Sequence, residues 1–244
     1  EMQDWLVAIE DLREYLYIDE NDLLREKCSN MDYLNELIAE GERLLLVEGY
    51  MDVISMFQSG IENVVASSGT ALTEGQIRLI RRFTQNVTVI YDGDEAGIKA
   101  SLRGIDMLLE EGLNIKVLLL PDGEDPDSFA RSHSAQELAE YITENETDFI
   151  RFKTSILLKG VEKDPIARSE AIKDILKSIS VIPDNITRSV YVKECSRMLE
   201  IEEKTLNLRL NKLLKERIEK TADKTQRDYT RASIEEIEEQ IAIL

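Results

Sequence analysis

With 244 residues, 43% hydrophobic and only 4 prolines and 11 glycines, the chain reads as ordered, globular and helix-rich, with room for one sizeable core plus an appendage. Its two cysteines, Cys28 and Cys195, stand far apart, which excludes a cysteine-built zinc site and argues against a disulfide framework; no apolar run has transmembrane length and no signal segment opens the chain, so a cytoplasmic protein is expected, without membrane contact. The 30 Lys and Arg against 49 Asp and Glu give a net charge of −19, which opposes nucleic-acid binding by phosphate neutralisation unless a basic surface lies elsewhere.

Residues 1–42 read as an acidic helical segment of uncertain origin, with Trp5, Leu6, Ile9, Leu12 and Leu16 near helical spacing. From Arg43 the pattern changes. Apolar runs at 44–47, 63–66, 86–91 and 115–120 read as strands, and the segments 51–58, 73–84 and 95–111 between them as helices. Strands apolar throughout, alternating with helices, predict an α/β fold: a doubly wound parallel sheet of about four strands within a domain at 43–145. Gly60 and Gly112 close the first and third helices. After Asp127 strands are no longer expected. Helices at 134–160, 165–180, 184–199 and 202–220, with Pro165 and Pro183 at or near helix starts, predict an all-α bundle over 146–220. A polar break and a terminal amphipathic helix fill 221–244.

Acids follow three of the predicted strands. Glu48 ends the first, Asp92 and Asp94 the third, and Asp122, Glu124, Asp125 and Asp127 the fourth. In a parallel sheet these positions share the carboxyl edge, where doubly wound folds bind ligands at a switch in strand order. A single acid there reads as a helix N-cap. Three acidic strand ends together, mutually repulsive when ionised, read as a site for a hard cation such as Mg²⁺ (or Mn²⁺). Asp92 and Asp94 are two apart, so in an extended segment they point to one side and can serve different ions. Gly93 and Gly97 leave room for phosphate beside the backbone, and the helix starting near Glu95 turns its positive end toward the site.

The wording of these segments resembles the TOPRIM domain, defined by a Glu after the first strand (Glu48) and a DxD after the third (Asp92-Gly93-Asp94). Four segments in order resemble, within that group, bacterial replicative primases of the DnaG type: Val47-Glu48-Gly49-Tyr50-Met51-Asp52-Val53, Ala66-Ser67-Ser68-Gly69-Thr70-Ala71-Leu72-Thr73, Tyr91-Asp92-Gly93-Asp94-Glu95-Ala96-Gly97, and Leu120-Pro121-Asp122-Gly123-Glu124-Asp125-Pro126-Asp127. The resemblance implies an RNA polymerase that makes short primers on single-stranded DNA from nucleoside triphosphates, with a replicative helicase as partner toward the C-terminus, in the nucleoid-associated replication machinery. Two or more Mg²⁺ (or Mn²⁺) ions are implied. Glu48 and Asp92 would hold one, and Asp92 and Asp94 a second. Asp125 and Asp127 correspond to further acids near the metals, and Asp52 to another acid of the first motif. A TOPRIM nuclease or topoisomerase piece, or a TOPRIM module that only binds, remains open beside this reading.

The resemblance also implies a zinc-binding module and a basic subdomain that grips the template; neither is visible, so the chain is expected to be a piece that binds metal but primes poorly alone. Gly69, Thr70, Gly93, Lys99 and Asp52 are candidate nucleotide or phosphate contacts, although a strand-to-helix turn accounts equally for the segment around Gly69 and a solvated helix face for Lys99 and Arg103. His133, the one histidine, is expected in a solvent-exposed loop, and Tyr50 packed at a helix start.

Overall fold

The computed structural model describes residues 43–67, 72–92, 95–121, 123–161 and 163–220. Expectations for residues 1–42, 221–244, Ser68 to Ala71, Gly93, Asp94 and Asp122, and for the side chains of Lys99 and Arg103, lie outside what it describes.

In chain order the elements are β1 (Leu44–Val47), α1 (Tyr50–Gln58), β2 (Val64–Ala66), α2 (Glu74–Phe83), β3 (Asn86–Tyr91), α3 (Glu95–Glu110), β4 (Asn114–Leu119), α4 (Pro126–Ser132), α5 (Ala135–Asn145), β5 (Thr147–Asp148), α6 (Phe149–Leu158), α7 (Pro165–Val181) and α8 (Asn185–Leu199). A last described helix, α9, covers 203–220. The strands lie in the order β2-β1-β3-β4-β5. β1 pairs in parallel with β2 and β3, and β3 with β4. The α/β expectation holds, with one correction. The sheet has five strands, because β5 pairs antiparallel with β4 through Lys116↔Asp148 and Val117↔Thr147. The helix expected over 134–160 is accordingly two helices, α5 and α6, interrupted by that short strand.

Alternation along the strands explains how the sheet is covered on both faces. Leu44, Leu46, Val87, Val89, Ile115 and Val117 face one core with Ile77, Leu102, Ile105, Phe149, Ile175, Ile179, Cys195 and Leu206. Leu45, Val47, Ile90 and Leu118 face the other, with Met56 of α1, Phe129 of α4, and Leu138 and Ile142 of α5. The first core therefore runs without interruption from the strands into α6, α7, α8 and α9.

Glu146 fixes the antiparallel addition in place. Its carboxylate, 3% exposed, accepts from Arg43 Nη1 at 2.7 Å and Lys116 Nζ at 2.6 Å. Its second oxygen accepts from the buried Thr88 hydroxyl at 2.8 Å. A polar strand residue, Thr88, is thus satisfied by a charge that arrives at the end of α5.

Candidate active site

The strand order reverses between β1 and β3: β1 leads outward to β2, and β3 outward to β4. In open sheets of this order the crevice outside the carboxyl ends of these two strands is the usual ligand site. The register pairs Leu46 with Val89, so one step beyond each strand places Glu48 and Asp92 on the two sides of the crevice. Both are exposed. Glu48 also acts electrostatically on Tyr91: burial pushes the Tyr91 hydroxyl far above its usual value, and the Glu48 charge adds to the effect. Tyr91 stays protonated.

α1 starts at Tyr50, two residues after Glu48. Gly49 is its N-cap, and the Gly49 N–H donates to Asp52 Oδ2 at 2.9 Å. Asp52 also accepts from the backbone N–H of Asp127. Burial raises the pKa of Asp52, with Asp92 and Asp125 adding repulsion and these two backbone donors opposing it. The carboxylate expected as a nucleotide contact is therefore engaged in joining two loops. The shared repulsion is what a cation at this rim would relieve.

The acids after β4 sit at the start of α4. Asp125 is the N-cap: it accepts from Ser128 N at 2.7 Å, and this bond is the main reason its pKa is lowered. The Ser128 hydroxyl donates in turn to Glu124 Oε2 at 2.6 Å. Asp127 accepts from the Ser55 hydroxyl of α1 and pairs with Arg131 Nη2 at 2.9 Å. Thus the helix-cap role and the acidic rim coexist in the same residues.

The structure brings Glu48, Asp52, Asp92, Asp125 and Asp127 to one edge of the sheet, while Asp94, Gly93, Gly69 and Thr70 lie outside the described residues. Among the described residues no group of three or more His, Cys, Asp or Glu is gathered closely enough to hold a metal ion. All donors present are carboxylate oxygens, the set that suits Mg²⁺ or Mn²⁺. Two smaller expectations are corrected. Tyr50 is 42% exposed, so it stands open at the helix start. His133 is half-buried as the C-cap of α4, stacked on Phe129 with 4.1 Å between ring centroids. The sequence reading missed Ser55, Ser59 and Ser128, the hydroxyls that hold the acidic loops. The signal for the first two was there in the spacing 52, 55, 59, one face of a helix.

The Toprim-like family pattern matches residues 45–130, and that of the DnaB-helicase binding domain of primase matches residues 150–204. The DNA primase of Clostridium acetobutylicum is 38% identical over 184 residues, which cover 74% of this chain and 30% of the relative. A DNA primase domain from Pseudomonas aeruginosa superposes with a TM-score of 0.61 at 27% identity, covering 72% of this chain and 57% of that one. A DnaG primase catalytic domain bound to single-stranded DNA does so with a TM-score of 0.59 at 32% identity, covering 68% and 55%. The chain spans about 30% of the length of the curated relatives it matches. Motif order, fold and these likenesses agree: the chain belongs to the bacterial DnaG-type primases, with a Toprim-like part followed by a part similar to the primase domain that binds DnaB helicase.

Proposed function

We propose that this chain supplies the catalytic acids of a DNA primase, the DNA-directed RNA polymerase that makes short RNA primers on single-stranded DNA during replication. The observation that carries this reading is the placement of Glu48 and Asp92 on either side of the β1/β3 switch point. Toprim primases generally use a divalent metal, and the all-carboxylate rim fits one. Glu48 and Asp92 would hold one Mg²⁺ (or Mn²⁺), and Asp92 with Asp94 a second; Asp125 and Asp127 would complete the rim from the β4 side. When bound, such ions lower the pKa of the attacking 3′-hydroxyl and stabilise the leaving pyrophosphate.

The chain's own residues bind and orient. Asp52 fixes the Glu48 loop against the Asp127 loop. The N-terminus of α3, directly after the DxD, offers its positive end to the triphosphate, and Gly69, Thr70, Gly93 and Lys99 are the further phosphate contacts in this reading. Residues 43–145 act as the Toprim unit and 146–220 as the helical unit, through which the replicative helicase is engaged. The single-stranded DNA template and nucleoside triphosphates meet at the carboxyl edge of the sheet, and the work is done in the bacterial cytoplasm.

The test is a Mn²⁺ titration of the chain, followed by electron paramagnetic resonance of the free ion. Glu48→Gln and Asp92→Asn are expected to weaken binding at least tenfold, on the order of the effect of losing one ligand or its support. Binding unchanged in both variants overturns the reading. The chain alone is expected to bind Mn²⁺ yet prime poorly, and primer synthesis at the rate of a full-length primase would overturn the expectation that basic parts outside it are needed.

A further inference from the structure

α1 and α4 are joined by a line of polar contacts along one face of α1. Asp52, Ser55 and Ser59 recur at i, i+3 and i+7, and each reaches α4. The Asp52 carboxylate accepts the Asp127 backbone N–H. The Ser55 hydroxyl donates to Asp127 Oδ1. The Ser59 hydroxyl donates to the Ala130 carbonyl at 2.8 Å. Ser55 is only 3% exposed, so its hydroxyl gains little from water and depends on this acceptor.

Asp127 has a competing attraction. Arg131, one turn along α4, reaches the same Oδ1 at 2.9 Å, and its side chain is mostly exposed. On its own this i,i+4 pair would draw the carboxylate along the helix surface toward solvent. The buried hydroxyl of Ser55 pulls it instead toward α1, which begins two residues after Glu48. Both contacts fall on the same oxygen, Oδ1.

We propose that Ser55 is a positioning residue for metal binding: it holds Asp127 against α1, so that the acid after β4 is presented beside the acid after β1. This rests on the reading of Asp127 as an acid that faces the cations. Ser55 itself touches no substrate and no ion. It fixes the distance between two carboxylate-bearing loops that no strand pairing joins directly, since β3 lies between β1 and β4.

The experiment is the same Mn²⁺ titration at constant ionic strength, run on the chain well below the melting temperature of each variant. Ser55→Ala is expected to weaken Mn²⁺ binding about tenfold, the lower end of the effect of losing an outer-sphere partner. In an Asp127→Ala background the same change is expected to add less than twofold, because the residue through which it acts is gone. A tenfold loss that persists in that background overturns the proposal, as does an unchanged affinity in Ser55→Ala. Arg131→Ala alters only an exposed side chain and guards against a Ser55 variant that fails to fold. It is expected to bind Mn²⁺ as well as or better than the unmodified chain, and a loss above threefold would assign the positioning to Arg131 instead. Glu48→Gln separates the two levels. If it loses binding while Ser55→Ala does not, only the role of Ser55 falls. If it too binds normally, the metal site falls and the proposal with it.

Discussion

Asp125 has a defined role in the fold at the same sheet edge as the proposed site. It accepts the Ser128 N–H as the N-cap of α4, which keeps its pKa below the usual aspartate value of 3.8. A group with a depressed folded pKa stabilises the fold above its unfolded pKa, and that contribution is lost as the pH falls through the folded one. Asp125→Ala is expected to cost about 1 kcal/mol at pH 7. Asp125→Asn, which keeps a neutral cap, should cost less. The gap between the unmodified chain and Asp125→Asn should hold above the ordinary aspartate range and close below it, as read by urea denaturation at a series of pH values. At this scale the place of the acids on one sheet edge was legible from the sequence, because Glu48, Asp92 and Asp125 each follow an apolar run that forms a parallel strand. The serines that orient them were not. Ser55 lies inside a helix of mixed composition, and nothing local distinguishes a hydroxyl aimed at another helix from one turned to water.

The ends of the elements were better marked than their partners. α1 and α3 close in the same way. After α1, the Gly60 N–H donates to the Phe57 carbonyl and the Ile61 N–H to the Met56 carbonyl. After α3, the Gly112 N–H donates to the Leu109 carbonyl and the Leu113 N–H to the Leu108 carbonyl. These are Schellman closures, which call for a left-handed residue, and the two glycines supply it at φ 89° and 80°. The surroundings differ. A Cβ at Gly60 would stand 3.1 Å from the Ala135 Cβ, whereas one at Gly112 would meet Pro183 at an ordinary 3.8 Å. Both alanine substitutions should destabilise through the backbone by about 1–2 kcal/mol, and Gly60→Ala should cost more than Gly112→Ala in chemical denaturation. Equal losses would mean that α5 shifts without cost. The strand that escaped the sequence reading, β5, is two residues long and polar. It exists because tertiary contacts hold it: β4 pairs with it, and Glu146 beside it binds Arg43, Lys116 and Thr88. No alternation can announce so short a strand.

Over the whole molecule, composition and packing divide the chain differently. The change from alternating strands to helices was legible in outline, although β5 lies beyond the point where strands were last expected. The core does not stop there. Phe149 and Ile150 of α6, Ile175 and Ile179 of α7 and Cys195 of α8 share one cluster with Leu44, Val87 and Ile115 of the sheet. A polar link crosses the same boundary. Lys153 of α6, 1% exposed, donates to the Ser178 hydroxyl at 2.7 Å and stands 3.4 Å from Asp174 and 4.0 Å from Asp106. The Ser178 hydroxyl donates in turn to Asp106 of α3 at 2.5 Å, and burial raises the Asp106 pKa despite the nearby lysine. Such a lysine is invisible in sequence, since most lysines on a helix are solvated. Removing one partner of a buried pair costs about 3–5 kcal/mol. Because Asp174 and Asp106 both keep some exposure, Lys153→Ala should fall near about 3 kcal/mol, a drop of roughly 6–12 °C in melting temperature for a chain of this size. Lys153→Met, which fills the same space without the charge, should recover part of that loss. If the sheet and the helices are one cooperative body, calorimetry will show a single transition moving down as a whole. A split into two transitions, only one of them shifted, would show that the helices unfold apart from the sheet.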